Sequence, residues 1–148
     1  MGTLERAIEI AAEAHAGQLD KTGAAYIAHP MRIMARFLRE KHETYAIVAA
    51  LHDVVEDSKW TLNGLLDEGF STEVVEAVGV LTRNKREPYL AYVERAAKHP
   101  LARWVKQADL MDNINEDRLE KLPEPDRSRL RKKYSEALYL ISVTPIPL

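Results

Sequence analysis

The chain has 148 residues and 46% of them are hydrophobic, which is enough for one buried core and too little for two separate domains. Its 21 basic and 23 acidic side chains nearly cancel, so the molecule as a whole offers no strong field to attract a nucleic acid. The absence of cysteine excludes disulfides, thiolate metal ligands and cysteine nucleophiles, so any metal site must use nitrogen and oxygen ligands. We expect a single domain spanning residues 1–148.

Neither an export signal nor a membrane span is expected from this sequence. The first turns of the chain carry Glu5, Arg6, Glu9 and Glu13, and these charges do not fit the apolar part of a secretory signal. The longest uninterrupted apolar run, residues 45–51, is far shorter than the ~20 residues that cross a bilayer. We expect a soluble, cytoplasmic protein that binds a small molecule and neither nucleic acid nor membrane, with a homo-oligomer left open.

Apolar residues at helical spacing after Thr3 predict a first helix that is capped by this threonine and ends near His15. Residues 16–28 contain two glycines and mixed polar residues, which indicates a loop, and Pro30 then suits the first turn of a second helix. The apolar stripe that we expect this second helix to bury comprises Met31, Met34, Phe37 and Leu38.

The rest of the chain also shows helical patterns, and nowhere does the period-two alternation of a strand persist. Residues 46–55 are apolar on nearly every side and predict a helix in the core. The other expected helix starts are caps at Thr61 and Ser71, first-turn prolines at Pro88 and Pro100 with ends near Ala97 and Leu119, and a last helix after Pro125. The predicted fold class is all-α, a compact single-domain helical bundle.

The segment AIVAALHDVVEDS, residues 46–58, places four ionisable groups on an otherwise apolar helix. On a continuous helix His52 would face Glu56, and Asp53 would face Asp57, at i,i+4. Carboxylates crowded against a buried helix repel one another and lose hydration, so a positive charge should lie among them. A divalent cation meets that need. The alternative is that these residues mark the exposed end of the helix and that His52 is a hydrogen-bonded core histidine.

A metal site also needs ligands from other segments. His29 at the start of the second helix and Asp109 within residues 102–114 both lie in apolar surroundings and are suited to this role. With His52 and Asp53 they would form a mixed imidazole and carboxylate set, which admits manganese, iron, zinc or magnesium without selecting one.

Three segments taken together resemble a known family. HAGQLDKTGAAYIAHP (15–30), LHDVVEDS (51–58) and VKQADLMDNI (105–114) are similar, in order and spacing, to the HD hydrolase domain of RelA/SpoT-type alarmone enzymes. The similarity spans most of the chain and is greatest to the free-standing small hydrolases of the metazoan SpoT homologue type. It implies an HD-type helical fold and removal of pyrophosphate from the 3′ position of guanosine tetraphosphate, an alarmone of the stringent response.

The resemblance also implies roles for individual residues. Glu56 and Asp57 match the carboxylates that position and activate the attacking water, while Lys21 and Asn113 match residues that bind the nucleotide. The family's metal, usually a single manganese ion, would be held by His29, His52, Asp53 and Asp109.

General chemistry supports these roles. A divalent ion lowers the pKa of its water and offsets charge on phosphoryl oxygens, and a nearby carboxylate, for which we favour Glu56, accepts the proton. A polyanionic substrate needs cations, and Lys85 in TRNKRE (82–87) is a candidate, although that segment is equally typical of a solvated connector. Arg129 is a candidate for an arginine on the last helix that reaches the substrate in the family.

Three positions depart from the family pattern: Asp20 replaces an arginine that packs on the guanine base, Ala25 replaces a proline, and Asp112 replaces a histidine. An aspartate cannot stack on a base as a guanidinium does. We therefore expect weakened discrimination between guanine and adenine alarmones, unless Asp20 faces solvent and another residue holds the base.

Two other functions stay open at this stage. One is an HD phosphohydrolase acting on an adenine alarmone or another nucleotide. The other is a catalytically silent nucleotide-binding domain that keeps the metal for stability, against which the retention of Glu56 and Asp57 argues.

Overall fold

A computed structural model describes residues 2–147, and the regular secondary structure of this part of the chain is helical apart from a lone bridge between Leu19 and Ala25. The all-α prediction is thus confirmed. In chain order the helices are α1 (Leu4–Ala14), α2 (Ala28–Arg39), α3 (Glu43–Leu51), α4 (Val54–Asp57), α5 (Leu62–Asp67), α6 (Thr72–Val80), α7 (Tyr89–Ala97), α8 (Ala102–Asn113), α9 (Glu116–Leu119) and α10 (Asp126–Val143).

The predicted N-caps are confirmed because each hydroxyl accepts a hydrogen bond from the first turn of its helix. Thr3 caps α1, Thr61 caps α5 and Ser71 caps α6. Such bonds satisfy backbone N–H groups that have no partner within the helix. Pro88 precedes α7 and Pro125 precedes α10, also as predicted.

The centre of the fold is α3, which is enclosed by α1, α2, α6 and α8. Every residue from 46 to 51 is buried, as its unbroken apolar composition predicts. This arrangement brings the C-terminal end of α3 to the same place as the start of α2 and the middle of α8. The candidate ligands come from these three points.

Three details of the predicted helices are wrong. The helix expected over 46–58 is interrupted at His52 and Asp53, which separate α3 from α4. The helix expected from Pro100 to Leu119 ends at Asn113 and is followed by the short α9. In α2, Leu38 is 36% exposed, while Ile33 is fully buried.

The second half of the chain adds a smaller core between α7, α8 and α10. The buried Arg103 of α8 closes it by donating hydrogen bonds to the carbonyls of Ala97, Ile141 and Thr144. A guanidinium suits this task because its donors point in several fixed directions. Within residues 2–147, no helix combines the length and apolar character needed to cross a membrane.

Candidate metal centre and substrate cavity

Four side chains from three separate segments of the chain meet beside the end of α3. His29, His52 and Asp53 each offer a ligand atom within 4.8 Å of the others. Asp109 of α8 adds its Oδ1 atom, 2.8 Å from His29 Nε2 and 3.5 Å from His52 Nε2. The structure thus brings together all four residues that the sequence suggested as metal ligands.

The break between α3 and α4 aims His52 into this cluster. Its Nδ1 donates to the Ala49 carbonyl at 2.6 Å, so in the neutral ring Nε2 carries the lone pair. Nε2 lies 3.0 Å from Asp53 Oδ2 and makes no well-aligned hydrogen bond within residues 2–147, although it is buried. A buried nitrogen lone pair that faces carboxylate oxygens is the arrangement a divalent ion stabilises.

Further hydrogen bonds orient the proposed ligands. His29 Nδ1 lies 2.6 Å from Asp112 Oδ2, a contact that directs Nε2 of the same ring toward Asp109. Such carboxylate–histidine pairs commonly orient metal-binding imidazoles. The Tyr26 hydroxyl donates to Asp53. Asp112, which departs from the family pattern, therefore supports the site.

The cluster as a whole attracts positive charge. Burial disfavours a charged imidazole, yet Asp53 and Asp109 raise the pKa of His52 well above its usual value. Burial also disfavours a charged carboxylate, yet Lys106 and the two histidines hold the pKa of Asp109 well below its usual range. A field that favours cationic histidines and anionic carboxylates also favours a bound cation.

Glu56 and Asp57 project from α4 next to the cluster and keep raised pKa values. Burial is the main cause of both shifts. At Asp57, burial and the negative charges of Asp53 and Glu56 together raise the pKa to about 6. Glu56 Oε1 accepts a hydrogen bond from the backbone N–H of Arg83 at 2.8 Å. These shifts bring two carboxylates closer to the pKa range in which a proton acceptor operates near neutrality.

Sequence reasoning missed the residue that anchors α4. The Gln18 amide nitrogen donates to the carbonyls of Ala14 at 3.0 Å and of Asp57 at 2.9 Å, while its oxygen lies 2.8 Å from His15 Nδ1. Gln18 thereby joins the end of α1 to the short helix that bears Glu56 and Asp57. Its place in the HAGQ segment was the available signal.

A cavity of about 370 Å³ opens beside the cluster. Its acidic lining residues are Asp53, Glu56, Asp57 and Asp109. Its basic lining residues are Lys21, Arg83, Lys106, Arg118 and Lys133. The rest of the wall is formed by four tyrosines, three leucines, a threonine and an asparagine. These are Tyr26, Tyr89, Tyr92, Tyr134, Leu119, Leu122, Leu130, Thr22 and Asn113. A volume of this size, with mixed polar and apolar walls, is typical of small-ligand sites.

The predicted substrate-binding residues fall into two groups. Lys21 and Asn113 line the cavity. Lys85 is exposed and lies outside the cavity lining, as the connector interpretation of its segment predicts. Arg129 also lies outside it and pairs with Asp126 at 3.3 Å. On α10 it is Lys133 instead that lines the cavity.

Lys21, Arg83 and Lys133 form the exposed basic end of the cavity, and none has a carboxylate partner in an ion pair within residues 2–147. Burial, followed by repulsion from Lys21 and Arg83, lowers the pKa of Lys133. Lys133 Nζ lies 4.3 Å from the centre of the Tyr89 ring, and Arg83 lies 5.4 Å from it. The Arg83 guanidinium also donates to the Glu87 carbonyl, at 3.0 Å and 3.1 Å. Cations without a carboxylate partner around one ring offer a place for an anionic ligand.

Lys106 was also missed by sequence reasoning. Its side chain is buried, and its Nζ lies 2.8 Å from Asp109 Oδ2. Although burial disfavours its charge, Asp109 raises the pKa of Lys106 well above the usual value. The lysine therefore stays charged at the buried end of the cavity, which we define as this residue and the four proposed ligands.

Asp20 has a structural role. From the sequence it is expected either to lie at the base without stacking on it or to face solvent. Its Oδ1 accepts hydrogen bonds from the backbone and hydroxyl of Thr22 and from the Ala24 N–H, while Oδ2 pairs with Arg118 at 3.2 Å. The side chain is 8% exposed and lies outside the cavity lining. Asp20 thus shapes the loop that presents Lys21.

Residues 7–122 match the model of the HD domain family, and the chain therefore belongs to that family. It is 31% identical over 149 residues, or 93% of this chain, to a probable GTP pyrophosphokinase of Mycobacterium leprae, of which it covers 18%. It is 32% identical over 121 residues, or 75% of this chain, to a guanosine-3′,5′-bis(diphosphate) 3′-pyrophosphohydrolase of Aquifex aeolicus, of which it covers 17%. The chain thus spans less than a fifth of the length of these relatives. The resemblance to RelA/SpoT-type enzymes is confirmed.

The fold also matches a solved structure, that of a metazoan ortholog of SpoT that hydrolyses ppGpp. The two structures superpose with a TM-score of 0.76 over 95% of this chain and 86% of the other, at 22% sequence identity. This similarity confirms the HD-type helical fold.

Proposed function

We propose that this chain is a divalent-metal-dependent phosphohydrolase that cleaves (p)ppGpp at the 3′ position and releases pyrophosphate. The observation that carries this proposal is the junction of the cluster formed by His29, His52, Asp53 and Asp109 with a cavity whose far wall is basic and aromatic. A metal-activated water needs such a cluster, and a phosphorylated nucleotide needs such a wall. The relatives named for guanosine bis(diphosphate) metabolism support this choice of substrate.

We propose that the four clustered residues hold one divalent ion, for which Mn²⁺ is our choice. The unpartnered His52 Nε2 and the nearby Asp109 Oδ1 fit an ion that accepts nitrogen and oxygen ligands. When bound there, the ion would lower the pKa of water and offset charge on the phosphoryl oxygens.

We assign the proton transfer to Glu56 and the placement of the attacking water to Asp57. As water attacks the 3′-linked phosphorus, the bond from phosphorus to the 3′ oxygen breaks, and Glu56 takes the proton that the water loses. Burial raises the pKa of Glu56, which improves the match between the carboxylate and this role. The leaving 3′ oxygen takes up a proton, so the products are pyrophosphate and the 5′-phosphorylated nucleoside.

We assign the substrate's phosphates to Lys21, Lys133 and Arg83, with Asn113 near the reacting centre. Asn113 Nδ2 lies 3.3 Å from Asp109 Oδ1, so it is close to both the cluster and the cavity. We further propose that residues 1–148 act as one cytoplasmic domain whose partner is this nucleotide.

The test is an incubation of purified protein with Mn²⁺ and a set of 3′-diphosphorylated guanine and adenine nucleotides and 5′-phosphorylated nucleotides. Release of pyrophosphate from the 3′-diphosphates alone is the expected result. Orthophosphate release from 5′-nucleotides would replace this proposal with the other phosphohydrolase function. No turnover together with nucleotide binding would favour the silent domain.

A further inference from the structure

Lys106 is the one cavity-lining cation in the described part of the chain that contacts a proposed metal ligand. It stands one turn before Asp109 on α8, and its side chain is 8% exposed. Buried lysines are rare unless they are paired, and here the partner is Asp109 Oδ2. Asp109 Oδ1 is directed at the two histidines instead. The two oxygens of this carboxylate therefore serve different groups.

The surroundings of the ammonium leave one side of it open. Its Nζ lies 4.8 Å from the centre of the Tyr92 ring and 5.9 Å from that of Tyr89. The Tyr92 hydroxyl donates to the Leu81 carbonyl at 2.7 Å, which fixes that ring in place. An ammonium has three N–H donors, and Asp109 is the acceptor found for it among residues 2–147. The remaining direction is the cavity.

The carboxylates in and beside the buried end favour a cation in this place. Asp53 and Asp109 balance a dication, after which Glu56 and Asp57 leave an excess of negative charge beside the reacting centre. An anionic phosphoryl group would be repelled by that excess. Lys106 reduces this excess. Its Nζ lies 5.9 Å from the centre of the Tyr89 ring, which Lys133 and Arg83 also approach, at 4.3 Å and 5.4 Å, so this ring lies between Lys106 and the exposed basic end.

We propose that Lys106 is a catalytic residue that contacts an oxygen of the reacting phosphoryl group, with Asp109 holding its ammonium in position. The inference rests on the proposed phosphohydrolase function. It adds the Lys106 ammonium, beside the metal ion, as a second positive charge at the reacting phosphoryl group. Such a fixed positive charge stabilises charge that develops on the phosphoryl oxygens.

The test uses Lys106→Gln, because an amide can still donate to Asp109 but carries no charge. Lys98→Gln, on an exposed lysine at the C-cap of α7, is the matched control. We expect Lys106→Gln to bind Mn²⁺ with unchanged stoichiometry and a Kd no weaker than about threefold above the parent value, since removing a cation does not repel the ion. Inorganic phosphate should bind the Mn²⁺-loaded variant at least about tenfold more weakly in calorimetry, and kcat should fall by about 100-fold or more.

Two outcomes would overturn the proposal. Phosphate binding within about threefold of the parent value would show that Lys106 does not meet the anion. Loss of Mn²⁺ from Lys106→Gln would show that it acts through Asp109 on the metal. These binding measurements need no turnover, so a failure of the nucleotide hydrolysis proposal is seen separately in the parent protein.

A second measurement uses the unmodified protein, so it does not depend on whether a variant folds. With one equivalent of the diamagnetic ion Zn²⁺, the Lys106 ammonium can be followed by NMR while inorganic phosphate is added, because its burial slows proton exchange. The resonance should shift along a saturation curve. An unchanged resonance at saturating phosphate would overturn the assignment.

Discussion

The buried and exposed ends of the cavity are built on different principles. At the buried end, each proposed metal ligand has a further contact that restricts it. Asp112 holds His29, the Ala49 carbonyl holds His52, Tyr26 holds Asp53 and Lys106 holds Asp109. At the exposed end, Lys21, Arg83 and Lys133 have no carboxylate partner among residues 2–147. The side chains of one end are held by hydrogen bonds, and the cations of the other end have no carboxylate to neutralise them.

This difference indicates how the two ends divide the reaction. Restricted side chains keep their geometry through the reaction, which suits metal binding and catalysis. Lysines without a carboxylate partner act as point charges and bind phosphate oxygens with less geometric demand. Substitutions at the buried end should therefore change metal binding or kcat, and substitutions at the exposed end should change KM.

The largest effect is expected from Asp109→Ala. This change removes an oxygen that faces both histidines and leaves Lys106 buried without its partner. We expect loss of the stoichiometric ion in elemental analysis and loss of measurable turnover. Circular dichroism checks that the variant is folded. Retention of one ion per chain after purification without chelator would contradict the ligand assignment.

Glu56→Gln should lower kcat by about 100-fold to 10,000-fold while the ion stays bound, because an amide can hold a water but cannot take its proton. Initial rates and metal content are measured on the same preparation. Asp57→Asn is the matched comparison on α4. A Glu56→Gln rate within about threefold of the parent would move the proton acceptor to Asp57.

A smaller effect, on KM, is expected from Lys133→Met at the exposed end. Lys133 lines the cavity, whereas its neighbour Lys132 is 79% exposed and serves as the control in Lys132→Met. We expect KM to rise about tenfold, the effect of losing one charge-assisted contact, with kcat within about threefold. A fall in kcat with unchanged KM would instead place Lys133 at the reacting centre.

The smallest catalytic effect is expected at Asp20. Asp20→Ala removes the acceptor for three donors and the partner of Arg118, so we expect the free energy of unfolding to fall by about 1 to 3 kcal/mol in urea titrations. Asp20→Arg should bring no gain in guanine preference, since position 20 lies outside the cavity lining. A clear gain in the ratio of guanine to adenine kcat/KM would show that this side chain reaches the base.

For the parent protein we expect kcat/KM for guanine and adenine 3′-diphosphates to differ by about tenfold or less. The reason is that Asp20, unlike an arginine, cannot stack on the base. The two rates are measured under identical Mn²⁺ conditions. A preference of about a hundredfold or more would require a base-reading contact elsewhere in the cavity, and Arg118 would be the first to examine.

The sequence by itself determined the helical class, the caps at Thr3, Thr61 and Ser71, and the four candidate ligands that cluster at the buried end. Caps and helical periodicity depend on hydrogen bonds and side-chain positions within a few residues, so they can be recognised locally. The candidate ligands stood out because ionisable groups in apolar segments need compensation.

Tertiary structure alone decided which charges face one another. Asp112 meets His29 across 83 positions of the chain, and Arg118 meets Asp20 across 98. The break at His52, the choice of Lys133 over Arg129 and the burial of Lys106 likewise depend on how α3, α8 and α10 pack. Spacing along a helix cannot reveal these contacts, because the orientation of each helix is set by the apolar surfaces that it buries against the others.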